Sequence, residues 1–293
     1  MESFLDEQFL RRLEKLKVLA QKGVRGAERG EQISWRSGSS LEFLDYRKYQ
    51  LGDDLRYVDW NVYGRLDKLF IKLFRAEENQ TIHILMDTSR SMRLGNPSKE
   101  LYAKKIAAAL SYISLANLDR VRVSSFGTRI NQSMAPARSR ISYSKVLHFL
   151  LALESSGATH FNASLAEYAT LSKQQGIAIV LSDVMDPRGF KEGLEALSYG
   201  RFHVALLQIM DGTELEPQAV GNLLFKEIET GTSRRMTVDA NLLARYRETA
   251  REYVNEIREF CLAKGIDYFL CDTRIAFEDF LLDYLAKGRL FRA

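Results

Sequence analysis

Thr81-Ile-His-Ile-Leu-Met-Asp-Thr-Ser-Arg-Ser91 is the stretch whose reading decides the fold. Residues 81–86 alternate and are β-branched enough to form a buried strand, and the next five deliver one acid and two hydroxyls to its end. Asp87, Ser89 and Ser91 take every second position of a tight turn, so their oxygens converge from one piece of backbone. Oxygen-only donors of this kind suit a small hard cation, magnesium or manganese, rather than zinc. Asp and Ser are also ordinary residues at strand-to-helix turns and helix N-caps, so the pentapeptide needs support from the rest of the chain.

Outward from this stretch, residues after 80 alternate strand and helix signals over short connections, the rhythm of an α/β domain with a mostly parallel sheet. Strands are expected over 81–86, 120–126, 129–134, 177–181, 202–209 and 267–271, and helices over 98–117, 144–153, 162–174, 189–197, 240–264 and 276–286. Only Gly127-Thr128 separates the second and third strands, so the third is expected as an antiparallel edge partner. Segments 223–229 and 233–238 flank Thr230-Gly231-Thr232 and read as an inserted β-hairpin. Right-handed crossovers put the carboxyl ends of strands one and four on one face, where ligands bind in such sheets.

That face collects two further pieces. Thr159 ends the loop Ser156-Gly-Ala-Thr159 just before a helix, and Asp183 follows the fourth strand. The candidate metal site is therefore Asp87, Ser89, Ser91, Thr159 and Asp183, three hydroxyls and two carboxylates around Mg²⁺ or Mn²⁺. Such a set leaves the ion less neutralised than a carboxylate cage would, so a carboxylate from another protein can displace a water and complete it.

These segments, in this order, resemble the von Willebrand factor A-like fold and its metal-ion-dependent adhesion site. The resemblance covers about residues 80–290. It implies a Rossmann-like sheet with helices on both faces, with Ser89, Ser91 and Thr159 as ligands and Asp87 and Asp183 beside them, often through water. His160 after the threonine and the extra hairpin near 222–238 depart from the usual pattern.

Residues 1–80 read as an N-terminal extension to the 81–293 domain. Phe9, Leu13, Leu16 and Leu19 recur at helical spacing within 4–21, and Gly23, Gly26 and Gly30 end that helix. An Arg-, Asp- and Tyr-rich β segment follows, with a turn at Gly52-Asp53-Asp54 and an alternating strand over 69–74. Its segments Leu41-Glu-Phe43, Asp45-Tyr-Arg47, Gly52-Asp-Asp-Leu-Arg-Tyr-Val-Asp-Trp60 and Phe74-Arg-Ala-Glu-Glu78 resemble the signature of a bacterial family, domain of unknown function 58. Members resemble one another in being encoded beside MoxR-class AAA+ ATPases, which implies such an ATPase as partner in protein maturation. Many carry membrane spans. Physically, Asp53, Asp54 and Asp59 among Arg47, Arg56, Arg65 and Arg75, with Tyr57 and Trp60 between, form either an ion-pair and stacking network or a docking surface.

Composition excludes several classes. Lys plus Arg exceed Asp plus Glu by 42 − 38 = 4, spread too evenly for a nucleic-acid footprint. No uninterrupted apolar stretch reaches the ~20 residues of a membrane span, and Met1-Glu-Ser-Phe-Leu-Asp-Glu7 carries acids where a secretory signal carries bases, so a cytoplasmic location is expected. Cys261 and Cys271 lack the spacing of a redox or zinc motif and are expected as buried thiols. His83, His148 and His203 read as packing or surface histidines, while His160 stands on the rim of the site.

The function expected is a divalent-cation-dependent protein-interaction module, an adaptor or chaperone-like partner of an ATPase. The alternatives are a metal-dependent phosphoesterase using the same ion as Lewis acid, or a purely structural scaffold. The first acid is followed by Thr88 and Ser89 with no second Asp two residues on, and no phosphate loop, His-Glu-x-x-His or Gly-x-Ser-x-Gly motif occurs. No catalytic activity is therefore expected of this chain, and any ATP hydrolysis is expected in the partner.

Overall fold

The computed structural model describes residues 41–50, 53–76, 80–226, 228 and 232–287. They fall into two compact units, one within Ala27–Asn79 and the other running from Gln80 onward. The helix expected over 4–21 and its glycines lie outside the described residues.

In the smaller unit β1 (Leu41–Lys48) pairs antiparallel with β2 (Phe70–Ala76), with a bulge between Phe43 and Asp45. Asp59 caps helix α1 (Trp60–Leu66), accepting from the backbone N–H of Asn61 at 2.9 Å and of Val62 at 3.2 Å. The Tyr46 hydroxyl at 2.8 Å and the Lys72 ammonium at 3.0 Å reach the same carboxylate, and these hydrogen bonds hold its pKa down to about 2. Arg47 pairs with Asp53 at 2.9 Å and Arg56 with Asp54 at 2.6 Å, so these charges do form local ion pairs.

The larger unit runs β3 (Thr81–Asp87), α2 (Lys99–Ala116), β4 (Arg120–Phe126), β5 (Ile130–Ser133), α3 (Tyr143–Ala152), α4 (Phe161–Leu171) and β6 (Ile177–Ser182). It continues through α5 (Lys191–Tyr199), β7 (His203–Met210), the short α6 (Gly212–Leu215), β8 (Gly221–Lys226), β9 (Ser233–Val238), α7 (Ala240–Ala263), β10 (Asp267–Asp272) and α8 (Phe277–Lys287). The sheet order is β10-β7-β6-β3-β4-β5, with five parallel strands and β5 antiparallel at the edge; β8 and β9 form a separate hairpin. This is the α/β arrangement expected from the sequence, a mostly parallel sheet with one antiparallel edge strand and, in addition to it, the inserted hairpin. The helix expected over 162–174 ends at Leu171, and that over 189–197 starts at Lys191, after the turn Asp186-Pro-Arg-Gly189.

Strand alternation explains why both faces are covered. Ile82, Ile84 and Met86 of β3 enter one core layer with α2, α3 and α8, while Leu85 enters the other with α4, α5 and α7. Ile84, Leu85 and Met86 are completely buried, each side chain contributing about 1.5–3 kcal/mol. Helix α2 is buried along most of its length, with Ala107, Ala108 and Ala109 all within the core, as its apolar, alanine-rich sequence requires. At Gly176 a Cβ would lie 2.0 Å from the Thr81 carbonyl oxygen, so only glycine lets β6 begin this close to β3. His83 is buried and bonded through Nδ1 to the Tyr168 hydroxyl at 2.7 Å. Both thiols are free and buried; burial raises Cys261 to about 12 and Cys271 likewise upward. No helix among the described residues is long and apolar enough to cross a membrane.

From β3 the chain moves outward to β4 and β5, then returns to start the other half of the sheet at β6, directly beside β3. A crevice at the carboxyl ends of these two strands is the consequence of that reversal.

Candidate cation site at the switch point

Three loops meet at this crevice through backbone bonds. The turn after β3 is held by Thr88 N–H donating to the Phe126 carbonyl at 2.8 Å and by Arg90 N–H donating to the Gly157 carbonyl at 2.8 Å. Ser156 N–H donates to the Thr88 carbonyl at 2.7 Å, and His160 N–H to the Gly127 carbonyl at 2.8 Å. The hairpin reaches the same rim, where the Arg90 guanidinium donates to the Ile228 carbonyl at 3.3 Å. A cleft of about 350 Å³ opens beside the turn, lined by Thr88, Ser125, Asn131 and Ser156 among others.

Asp87 sits fully buried at the end of β3. One oxygen accepts the Ser89 N–H at 2.8 Å and the other the Ser182 hydroxyl at 2.6 Å. Burial and then the charge of Asp183 raise its pKa to about 7. Ser89 and Ser91 are buried with their hydroxyl oxygens 3.0 Å apart. The two hydroxyls are hydrogen-bonded to each other, and the same spacing suits adjacent ligands of a six-coordinate ion with ~2.1 Å bonds. Thr159 is buried on the facing loop, its hydroxyl directed at the Gly127 carbonyl at 3.5 Å, a bond weak enough to exchange. Among the described residues no group of three or more His, Cys, Asp or Glu side chains could hold a metal. Any ion here therefore depends on hydroxyls. The donor chemistry and the excess negative charge fit such an ion, with Ser89, Ser91 and Thr159 available to hold it.

Asp183 is also fully buried, but both its oxygens are engaged. One accepts the Met185 N–H at 3.1 Å and the other the Lys99 ammonium at 2.8 Å. This arrangement favours an outer role, through water, for that carboxylate. The Lys99 ammonium also reaches Glu214 at 2.6 Å. Burial alone would lower the pKa of Lys99, but the charges of Asp183 and Glu214 outweigh it and raise it. The residue after Asp183, Val184, has φ 60°, a left-handed backbone that a β-branched residue adopts only at a cost of about 1–2 kcal/mol. Its N–H is held by the Ser182 hydroxyl at 2.9 Å, and its carbonyl accepts from the Tyr253 hydroxyl.

Asp186 ties this loop to the threonine loop. Its carboxylate accepts the Phe161 N–H at 2.8 Å, capping α4 from outside that helix, and binds Arg188 Nε at 2.9 Å. Arg188 Nη2 in turn donates to the Thr159 carbonyl at 2.5 Å. Lys99, Val184 and Asp186 were not singled out by sequence reasoning. Only Asp186 carried a local signal, the Asp-Pro-x-Gly turn.

Residues 45–256 match the family described as "Protein of unknown function DUF58". Among curated proteins, the chain is 23% identical over 247 residues to uncharacterized proteins of Mycobacterium bovis and Mycobacterium tuberculosis, covering 81% of this chain and 76% of theirs. Among solved structures, it is similar to the conserved hypothetical protein BatB from Bacteroides thetaiotaomicron, at 16% identity, with a TM-score of 0.42 over 71% of this chain and 100% of that one. Another is the SpRpn10 VWA domain, at 14% identity and a TM-score of 0.38, over 71% and 97%.

Proposed function

We propose that this chain, which belongs to the DUF58 family, is a divalent-cation-dependent protein-interaction module whose bound ion accepts a carboxylate from a partner. The observation that carries this reading is the switch-point crevice itself: two buried acids, Asp87 and Asp183, beside a pair of serine hydroxyls 3.0 Å apart. A hydroxyl-rich set holds Mg²⁺ or Mn²⁺ while leaving a coordination position for an incoming oxyanion. Ser89, Ser91 and Thr159 supply the direct ligands in this proposal, and Asp87 and Asp183 supply charge through water.

The hydrogen bonds favour binding over catalysis. Both oxygens of Asp87 and both of Asp183 are held by neighbours, which suits groups that orient donors rather than attack a substrate. The partner proposed from the sequence resemblance is a MoxR-class AAA+ ATPase, which would supply both the acidic residue and any ATP hydrolysis. Affinity capture from native lysate, with and without magnesium, tests this with wild type and Asp87→Ala side by side. An AAA+ ATPase recovered only by wild type with metal is the expected result. Equal recovery by both proteins, or recovery indifferent to magnesium, counts against it.

A further inference from the structure

Lys99 is completely buried, and its ammonium lies 2.8 Å from Asp183 and 2.6 Å from Glu214. It opens α2, the end of a helix where a cation is disfavoured by the backbone dipole. Its position is therefore explained by the acids it faces and not by the helix it begins. Glu214 is itself fixed: its other oxygen accepts the Asp211 N–H at 2.9 Å in a capping box. The Asp211 carboxylate is held by Thr213 N–H at 2.9 Å and by the Thr273 hydroxyl at 3.0 Å.

We propose that Lys99 is an internal counter-cation that sets how tightly the candidate site holds its metal, by pairing with Asp183 and repelling the incoming ion. This rests on the cation reading given above. An ammonium locked beside one of the site's two acids competes with a divalent ion for the same negative charge. Because Lys99 is buried, the competition is poorly screened and the side chain has no route to solvent. Glu214 moderates it by drawing part of the ammonium's field away from Asp183. The site is thereby kept from filling indiscriminately and rewards a ligand that brings its own carboxylate to the ion.

The test measures Mn²⁺ binding by electron paramagnetic resonance to four forms of the 293-residue chain: wild type, Glu214→Gln, Lys99→Met and the Lys99→Met/Glu214→Gln double variant. Thermal unfolding is followed in parallel. Glu214→Gln, which leaves the ammonium with Asp183 alone, is expected to bind about tenfold more weakly than wild type. The double variant, which removes acid and base together, is expected to bind about tenfold or more tightly than Glu214→Gln. If Lys99→Met alone does not fold, the double variant still decides the outcome. One affinity common to the folded proteins, with only the melting temperatures differing, overturns the inference and leaves the cation site standing. Failure of every folded protein to bind Mn²⁺ overturns both.

Discussion

Asp87→Asn is expected to stabilise the metal-free protein at neutral and alkaline pH. Burial and the neighbouring charge of Asp183 raise the Asp87 carboxyl from 3.8 to about 7. Between those values the folded protein retains a proton that the unfolded chain has released. The contribution to stability is complete below the unfolded value, falls as pH rises toward about 7, and is level above it. The gap is about three units, and at ~1.36 kcal/mol per unit it amounts to a penalty of about 4 kcal/mol on the native state at about pH 8. Coupling to Asp183 brings the working range to about 2–4 kcal/mol. Asparagine keeps an acceptor for the Ser89 N–H, but the Ser182 hydroxyl must turn to accept from the amide, costing about 1 kcal/mol. Urea unfolding in chelator at about pH 8 should therefore find the variant more stable by about 1–3 kcal/mol, with the difference closing near pH 4. Saturating magnesium should narrow the difference or reverse it, since wild type, which keeps the Asp87 charge, gains about 2.7 kcal/mol at a hundredfold excess over Kd and the variant binds the ion more weakly. A variant less stable than wild type in chelator at about pH 8, or a gain unchanged down to about pH 4, would refute the reasoning.

Three further perturbations follow from the packing. Gly176→Ala sets a Cβ against the Thr81 carbonyl, 2.0 Å away in the present geometry, and should cost at least about 2 kcal/mol in denaturant unfolding. Ile84→Ala, in the completely buried centre of β3, should lose about 2–5 kcal/mol by the same measurement. Lys99→Ala strands the buried Asp183 and the half-buried Glu214 and should lose about 3–5 kcal/mol; the Lys99→Met/Glu214→Gln double variant should lose less in calorimetry, because it strands fewer charges.

What the sequence disclosed depended on how local the cause was. The runs at 81–86 and 177–181 are apolar on both sides because helices cover both faces of the sheet, and such strands announce themselves without reference to the rest of the chain. Ser98, whose side chain accepts from Leu101 N–H at 3.2 Å, marks the start of α2 just as locally. Asp87, Ser89 and Ser91 share one turn, so their convergence was legible too. Lys99 was not, because its partners lie 84 and 115 residues away and a lysine in a helix's first turn ordinarily faces water. The left-handed backbone at Val184 was equally hidden, since nothing in Ser-Asp-Val-Met signals a positive φ. The Asp186 turn was visible in sequence, but its bond to Phe161, 25 residues earlier, belongs to the tertiary fold. The hydroxyl direction of Thr159 is likewise set by the distant Gly127 carbonyl.

Anomalous diffraction from a crystal of the full chain soaked in manganese addresses the central claim most directly. The account predicts a peak in the crevice between β3 and β6, within about 2.2 Å of both the Ser89 and the Ser91 hydroxyl oxygens. A saturating soak that leaves those two serines without a metal neighbour, or that places the ion elsewhere on the protein, would contradict it.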